Sequence, residues 1–388
     1  MAKNVEIMAQ HIEAQADMFD RYAKGLYEKC LSILERHDAG KRISKVFLTG
    51  CGDSYYAGMC VKDFYTLYTG LHTEPLEALE LSRYVLPYEV DEHSLVVSIS
   101  ASGSVARTAE CAIRAGEKGA LSIGVTTNPK SRLAEVSPEL LYIELEENLG
   151  LAPGTQSYCA SLLSLYCLGM ALGKILGKLD DEDIEKMFSK MSSLSSAMRI
   201  TAQRNSKPIR DYLERYFDEE KKTSIKMFHI LGSGPSAGTA NFGVMKLLEA
   251  AGFDSLAQGV EEWAHSQYFT TAPDIHTIVL AQKGKSHERA VEILSAIKVK
   301  EGNTIIIGEE NDVELLNKAD FYFPICGAEN IDEEFSGLLY CVPLELIAMH
   351  ISDIVGHSGF DFENKPWVKE ENFKQIFHSR IVKLEDEQ

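Results

Sequence analysis

The stretch VFLTGCGDS, residues 46–54, is repeated as FHILGSGPS at 228–236. In each, apolar and β-branched residues run into G-x-G and then into a helical pattern, as in a strand that turns tightly into a helix. At an offset of 182 residues Gly50 matches Gly232, Gly52 matches Gly234 and Ser54 matches Ser236. Without a gap, Glu80 then falls on Glu262, Val97 on Val279, and SIGVT (122–126) on TIIIG (304–308). The chain therefore reads as a tandem duplication of one α/β unit.

Each copy runs strand, G-x-G, long helix, strand, helix, and a third strand such as GALSIGV or GNTIIIG. Short β-branched runs alternating with helical stretches predict a parallel sheet covered by helices on both faces, a three-layer αβα unit. Ligands in such sheets gather at the carboxyl ends of the strands. A dinucleotide fingerprint would need a third glycine, but Tyr55 and Ala237 stand in its place, which argues against NAD. The expected organisation is a helical lead-in over 1–38, a first unit over 39–179, a helical connector over 180–222, a second unit over 223–355, and a polar tail over 356–388.

Composition narrows the function. With 39 Lys and Arg against 58 Asp and Glu, the net charge of −19 disfavours nucleic acid, so any anionic ligand must be held by local hydrogen-bond donors. No apolar run reaches the length of a membrane span, and MAKNVEIMAQHIEAQADMF at the N-terminus is amphipathic rather than signal-like. The eight cysteines form no C-x-x-C pair and read as buried thiols in a reducing cytoplasm.

The most informative local feature is SLVVSISASGSVART, 94–108. A buried strand ends in Ser100, Ser102, Gly103 and Ser104 where a helix begins. Their hydroxyls can join the unpaired N–H groups of the helix start around one anion. The competing reading is that one serine merely caps the helix. The second copy has AQKGKS (281–286), which keeps a glycine but lacks counterparts of Ser100 and Ser102. A cap would be needed in both copies, so the first is expected to bind and the second to do something else.

GCGDS, SISASGS and the doubled unit resemble the sugar isomerase (SIS) family. The whole of 40–355 is similar to the tandem isomerase domain of glucosamine-6-phosphate synthase and its stand-alone relatives, the sugar-phosphate isomerases, deaminases and deglycases. The resemblance implies two tandem SIS domains. It implies that Ser54, Ser100 and Ser102, with the backbone around Gly103 and Ser104, hold a terminal phosphate. By the same match Cys51, Asp53, Ala101 and Val105, and Leu151 and Ala152 of the loop GLAPGTQSYCASL (150–162), line the substrate. Glu249 falls on the family's catalytic glutamate, Lys246 on the lysine one turn before it, and His265 on the histidine of ring opening. That histidine reaches the neighbouring subunit's pocket in the family, which implies a homodimer with a shared active site. No metal or organic cofactor is implied.

The assignments make chemical sense. Aldose–ketose interconversion moves a proton between C1 and C2 through an enediol, which needs a carboxylate over both carbons. Imidazole titrates near neutral pH and can pass a proton to the ring oxygen. Lys246 and Glu249, three residues apart, share a helix face, although such a pair on spacing alone is more often a surface ion pair. Glu262, matched by Glu80, reads as architectural.

Several residues depart from the family pattern. Val105 stands where Thr or Ser is usual, Asp53 replaces an uncharged neighbour of Ser54, and Gln156 takes the place of a lysine. For the family's tail lysine, Lys369 in NKPWVKE is the better match and Lys365 the runner-up. The chain begins Met-Ala, so the synthase's glutaminase half is expected to be missing. Isomerisation, deamination and deglycation then remain open, on a hexose or aminosugar with a C6 phosphate or a 6-sulfonate. A reading of a different class is a sugar-phosphate sensor that binds without turnover.

Overall fold

The computed structural model describes residues 3–145, 152–217, 224–327, 332–357, 359–360 and 366–387. The chain forms two units. The first comprises Asp17–Glu147, Gln156–Ser192 and Asn364–Gln388; the second comprises Met1–Ala16, Asn148–Thr155 and Ser193–Glu363. The helix Lys3–Ala14 thus belongs to the second unit and Met18–Arg36 to the first. The helix Asp181–Tyr216 spans the stretch read as a connector and contains Pro208.

In the first unit β1 (Lys45–Gly50), β2 (His72–Glu77), β3 (Ser94–Ile99), β4 (Leu121–Thr126) and β5 (Glu139–Tyr142) form a sheet ordered β2-β1-β3-β4-β5. In the second, β6 (Met227–Leu231), β7 (Ser255–Gln258), β8 (Ile275–Ala281), β9 (Asn303–Glu309) and β10 (Phe321–Ile325) are ordered β10-β9-β8-β6-β7, the same topology read from the other edge. Every pairing is parallel. All six residues of β3 are buried, as a strand covered on both faces requires.

The repeat extends to the turn geometry. Helices Asp53–Thr69 and Pro235–Ala251 are each 17 residues long and start and end 182 positions apart. Their N-caps have nearly the same backbone, φ 55°, ψ −129° at Gly52 and φ 58°, ψ −133° at Gly234, a region essentially closed to residues with a side chain. The preceding glycines are needed for a different reason. A Cβ on Gly50 would lie 2.6 Å from Ser54 Cβ, and one on Gly232 would lie 2.2 Å from Ser236 O. Both G-x-G motifs are thus explained by a strand turning into a tightly packed helix.

Each sheet is backed by an apolar helix, Gln156–Ile175 in the first unit and Gly337–Val355 in the second. The first packs on Met18–Arg36 and Asp53–Thr69, with Phe64 and Tyr166 edge to face at 5.0 Å. The second packs on Pro235–Ala251 and Lys3–Ala14. Contrary to the expectation from sequence, both are long and apolar enough to cross a membrane. Interspersed Ser, Gly and Cys in one and Pro343 and Glu345 in the other break up the apolar run without removing its mean hydropathy. The most apolar stretches of the two helices are 89% and 83% buried inside the fold, as core helices are.

Candidate active site

In this strand order β1 and β3 are neighbours whose connections diverge, and the crevice at their carboxyl ends is where ligands of open α/β sheets bind. β1 ends at Gly50 and leads through Cys51 and Gly52 into the helix bearing Asp53 and Ser54. β3 ends at Ile99 and leads into Ser100, Ala101, Ser102, Gly103 and Ser104. The first unit therefore brings both candidate segments to one switch point. Ser54 and Ser100 are buried, Ala101 and Asp53 half-buried, and Ser102 exposed.

The serine loop is held by the end of β4. The hydroxyls of Thr126 and Thr127 donate to Ala101 O at 3.0 and 2.9 Å, and Leu133 N donates to Gly103 O at 2.9 Å. Gly103 has φ 64°, and a Cβ there would fall 1.9 Å from Ser131 Oγ. Ser104 N donates to Ser102 Oγ at 3.2 Å, closing a local turn. The helix that follows, Ala106–Glu117, has Val105 at its N-cap and no side-chain cap. Ser100 Oγ is buried and without a hydrogen-bond partner. A buried hydroxyl left unmatched is costly.

Cys51 is paired in a way its own sequence neighbours do not suggest. Its Sγ donates to Glu77 Oε1 at 3.5 Å, and Glu77 also accepts Leu79 N at 3.0 Å. Burial, and then the Glu77 carboxylate, push the thiol up to about 12, so it stays protonated at neutral pH. Glu77, the last residue of β2, was missed in the sequence because its weight rests on the β1–β2 pairing.

The candidate acid–base residues lie in the second unit, on Pro235–Ala251. Lys246 is fully enclosed, its ammonium bonded to Glu249 Oε2 and 5.1 Å from the Phe242 ring centroid. The Glu249 side chain keeps 23% of its surface exposed. A sealed ammonium beneath a half-open carboxylate differs from the exposed pair that spacing alone would suggest. Phe360 N donates to Glu249 O at 2.7 Å. His265 ends the helix Val260–His265, is 70% exposed, and lies 3.3 Å from Glu261 Oε1. Glu80 and Glu262 are both exposed.

Ala152 is buried in the second unit, and Leu151 and Lys365 lie outside the described residues. Lys369 is half-buried on the helix Pro366–Phe377 of the first unit, 5.4 Å from the Phe373 ring centroid. Among the described residues no group of three or more His, Cys, Asp or Glu is arranged to hold a metal ion. None of the eight cysteines is joined in a disulfide.

The second unit's counterpart of the serine loop is closed. Gln282, at the position of Ser100, accepts Ser236 Oγ at 2.5 Å and donates to Ser233 O at 3.3 Å. Ser236, the counterpart of Ser54, is thus already satisfied.

Residues 41–171 match the family model described as SIS domain. The chain is 27% identical over 331 residues to glutamine–fructose-6-phosphate aminotransferase [isomerizing] of Pyrococcus horikoshii, covering 85% of this chain and 51% of that protein. The enzyme of that name from Thermus thermophilus is 27% identical over 318 residues, covering 81% and 50%. The chain thus spans about half the length of these relatives. Among solved structures, the C-terminal domain of glucosamine-fructose-6-phosphate aminotransferase from Francisella tularensis superposes with a TM-score of 0.74 at 19% identity, covering 90% of this chain and 96% of that one. Glucosamine-6-phosphate deaminase from Thermotoga maritima superposes with a TM-score of 0.65 at 18% identity, covering 92% and 97%. Those two likenesses establish the shared fold. Residues 41–171 are thus matched by the SIS domain model, and the same strand order recurs 182 residues on.

Proposed function

We propose that this chain is a sugar isomerase for a hexose or aminosugar with an anionic C6 group, phosphate first. Ser54, Ser100 and Ser102, with backbone N–H groups near Gly103, hold the anion, and Glu249 moves the proton. In the open-chain aldose Glu249 takes the proton from C2 as O1 is protonated, giving an enediol, and returns it to C1 as O2 loses its proton, so that the net change moves one proton from C2 to C1 and one from O2 to O1 and leaves the ketone at C2. His265, from a second copy of the chain, serves the ring oxygen before that step, and Lys369 contacts the sugar. The observation that carries the reading is the Lys246–Glu249 pair: an enclosed ammonium fixes a carboxylate that keeps part of its surface open. Similarity to proteins named as isomerizing aminotransferases supports it.

Release of an amine from C1 or C2 begins with the same proton transfer. The deaminase among the structures of the same fold therefore leaves aminosugar-phosphate deamination and fructosamine-phosphate deglycation as variants of one mechanism. The test is a panel of hexose, hexosamine and fructosyl-amino-acid 6-phosphates and a 6-sulfonate sugar, assayed in D2O for ketose, ammonia and deuterium at C1 or C2. Glu249→Gln should lower exchange and turnover by at least about 10²-fold, as loss of a general base does. Undiminished exchange in Glu249→Gln would remove the proposal, and binding without chemical change in the wild type would favour a sensor.

A further inference from the structure

The second copy of the serine loop, Gln282–Ser286, carries its own anion. Both carboxylate oxygens of Glu333 lie 3.2 Å from the backbone N of Lys285, which occupies the position of Gly103 in the repeat. The carboxylate also lies directly against the neighbouring glycine. A Cβ on Gly284, the counterpart of Ser102, would fall 2.3 Å from Glu333 Cδ and 2.5 Å from Oε1. Gly284 shows no unusual φ, so the turn does not require glycine there, and its missing side chain leaves room for the carboxylate in its present position. Beside it Gln282 satisfies Ser236, the counterpart of Ser54.

We propose that Glu333 is a built-in ligand of the second unit. Its carboxylate takes the Lys285 N–H that the duplicated loop would otherwise offer to a phosphate, so each chain binds a free anion in one unit only. Removing the charge opens a second anion site at Gly284–Lys285. The phosphate role of the first loop belongs to the proposed function, but the Glu333 contact stands independently of it.

The test is an inorganic phosphate titration of the full-length ¹⁵N-labelled chain, following backbone amides. In the wild type the Lys285 amide should stay still while those of Gly103 and Ser104 move. In Glu333→Gln, which keeps the side-chain size and an acceptor oxygen and so protects the fold, the Lys285 amide should move saturably; Glu333→Ala should enlarge the effect. A Lys285 amide that stays still in both variants, or moves equally in the wild type, overturns the proposal. Movement at Lys285 in the variants with none at Gly103 or Ser104 in any protein would overturn the first-loop reading and leave this one standing.

Discussion

The fully enclosed carboxylate of Glu110 accepts the backbone N–H of Val382 at 2.7 Å, tying the chain's last segment to the helix that starts at the serine loop. The same carboxylate takes Arg83 Nη2 at 3.0 Å and is paired with Arg107. Around it Arg107 donates to Arg380 O at 3.1 Å, Arg114 to Val382 O at 3.3 Å and Arg132 to Phe377 O at 2.7 Å. Glu110→Gln should cost about 1.5–3 kcal/mol, the scale of a charged hydrogen bond, because both arginines lose their counter-charge. Calorimetry should show a lower Tm, and limited trypsin digestion should cut faster at Arg380. An unchanged Tm together with an unchanged cutting rate would show that Glu110 does not hold the tail.

The same residue gives an acid limb. Burial raises Glu110, but Arg83, the Val382 N–H and Arg107 outweigh it and hold the carboxyl below its ordinary 4.5. The unfolded chain therefore takes the proton first. The stabilisation is present above about pH 4.5 and is lost as pH falls through the lower folded value. Tm measured against pH should drop less steeply below pH 4.5 in Glu110→Gln than in the wild type.

A second acid window belongs to His276, which is buried between Tyr212 OH at 2.5 Å and Asn303 Nδ2 at 3.1 Å. Burial lowers it from 6.5 to about 4, so between those values the unfolded state binds the extra proton and stability falls as pH falls. His229 and His350 are lowered to about 4 in the same way and add to the slope. Tm should begin to decline below pH 6.5, and His276→Gln should flatten part of that decline. A proton titration of the folded protein showing His276 near 6.5 would contradict this.

Ser100 separates binding from folding. Its Oγ has no partner in the folded chain, so Ser100→Ala removes no internal hydrogen bond and should leave Tm unchanged or slightly higher. If the hydroxyl meets the ligand's anion, affinity should fall by about 10- to 100-fold, the equivalent of one charge-assisted hydrogen bond. Isothermal titration with a bound sugar phosphate measures one and calorimetry the other. A fall in Tm with unchanged affinity would make Ser100 structural.

Gly52→Ala should destabilise the chain by about 1–3 kcal/mol, the cost of holding a side chain at φ 55°, ψ −129°. Gly234→Ala should cost a similar amount in the second copy. Urea unfolding of the two variants checks both values, and tolerance of either would mean that its turn can rearrange.

The duplication, the parallel sheets and the positions of the two G-x-G turns were legible in the chain by itself. They depend on local patterns: β-branched runs, helical periodicity, and glycines where the backbone takes a conformation or an approach that side chains forbid. The Lys246–Glu249 pairing was legible for the same reason, since three residues on a helix bring two side chains together. That Lys246 is sealed was not, because enclosure comes from what packs over a helix face.

Only the tertiary structure decided the rest. Strand order depends on which crossover packs where, so it took the fold to bring the ends of β1 and β3 together and leave Ser100 Oγ without a partner. Spacing alone does not tie Glu110 to Val382, far along the chain. Glu333 reads as one acid in an acidic stretch until it rests on Gly284. In each case a side chain's free energy is set by neighbours distant in sequence, and composition and spacing do not encode which neighbours those are.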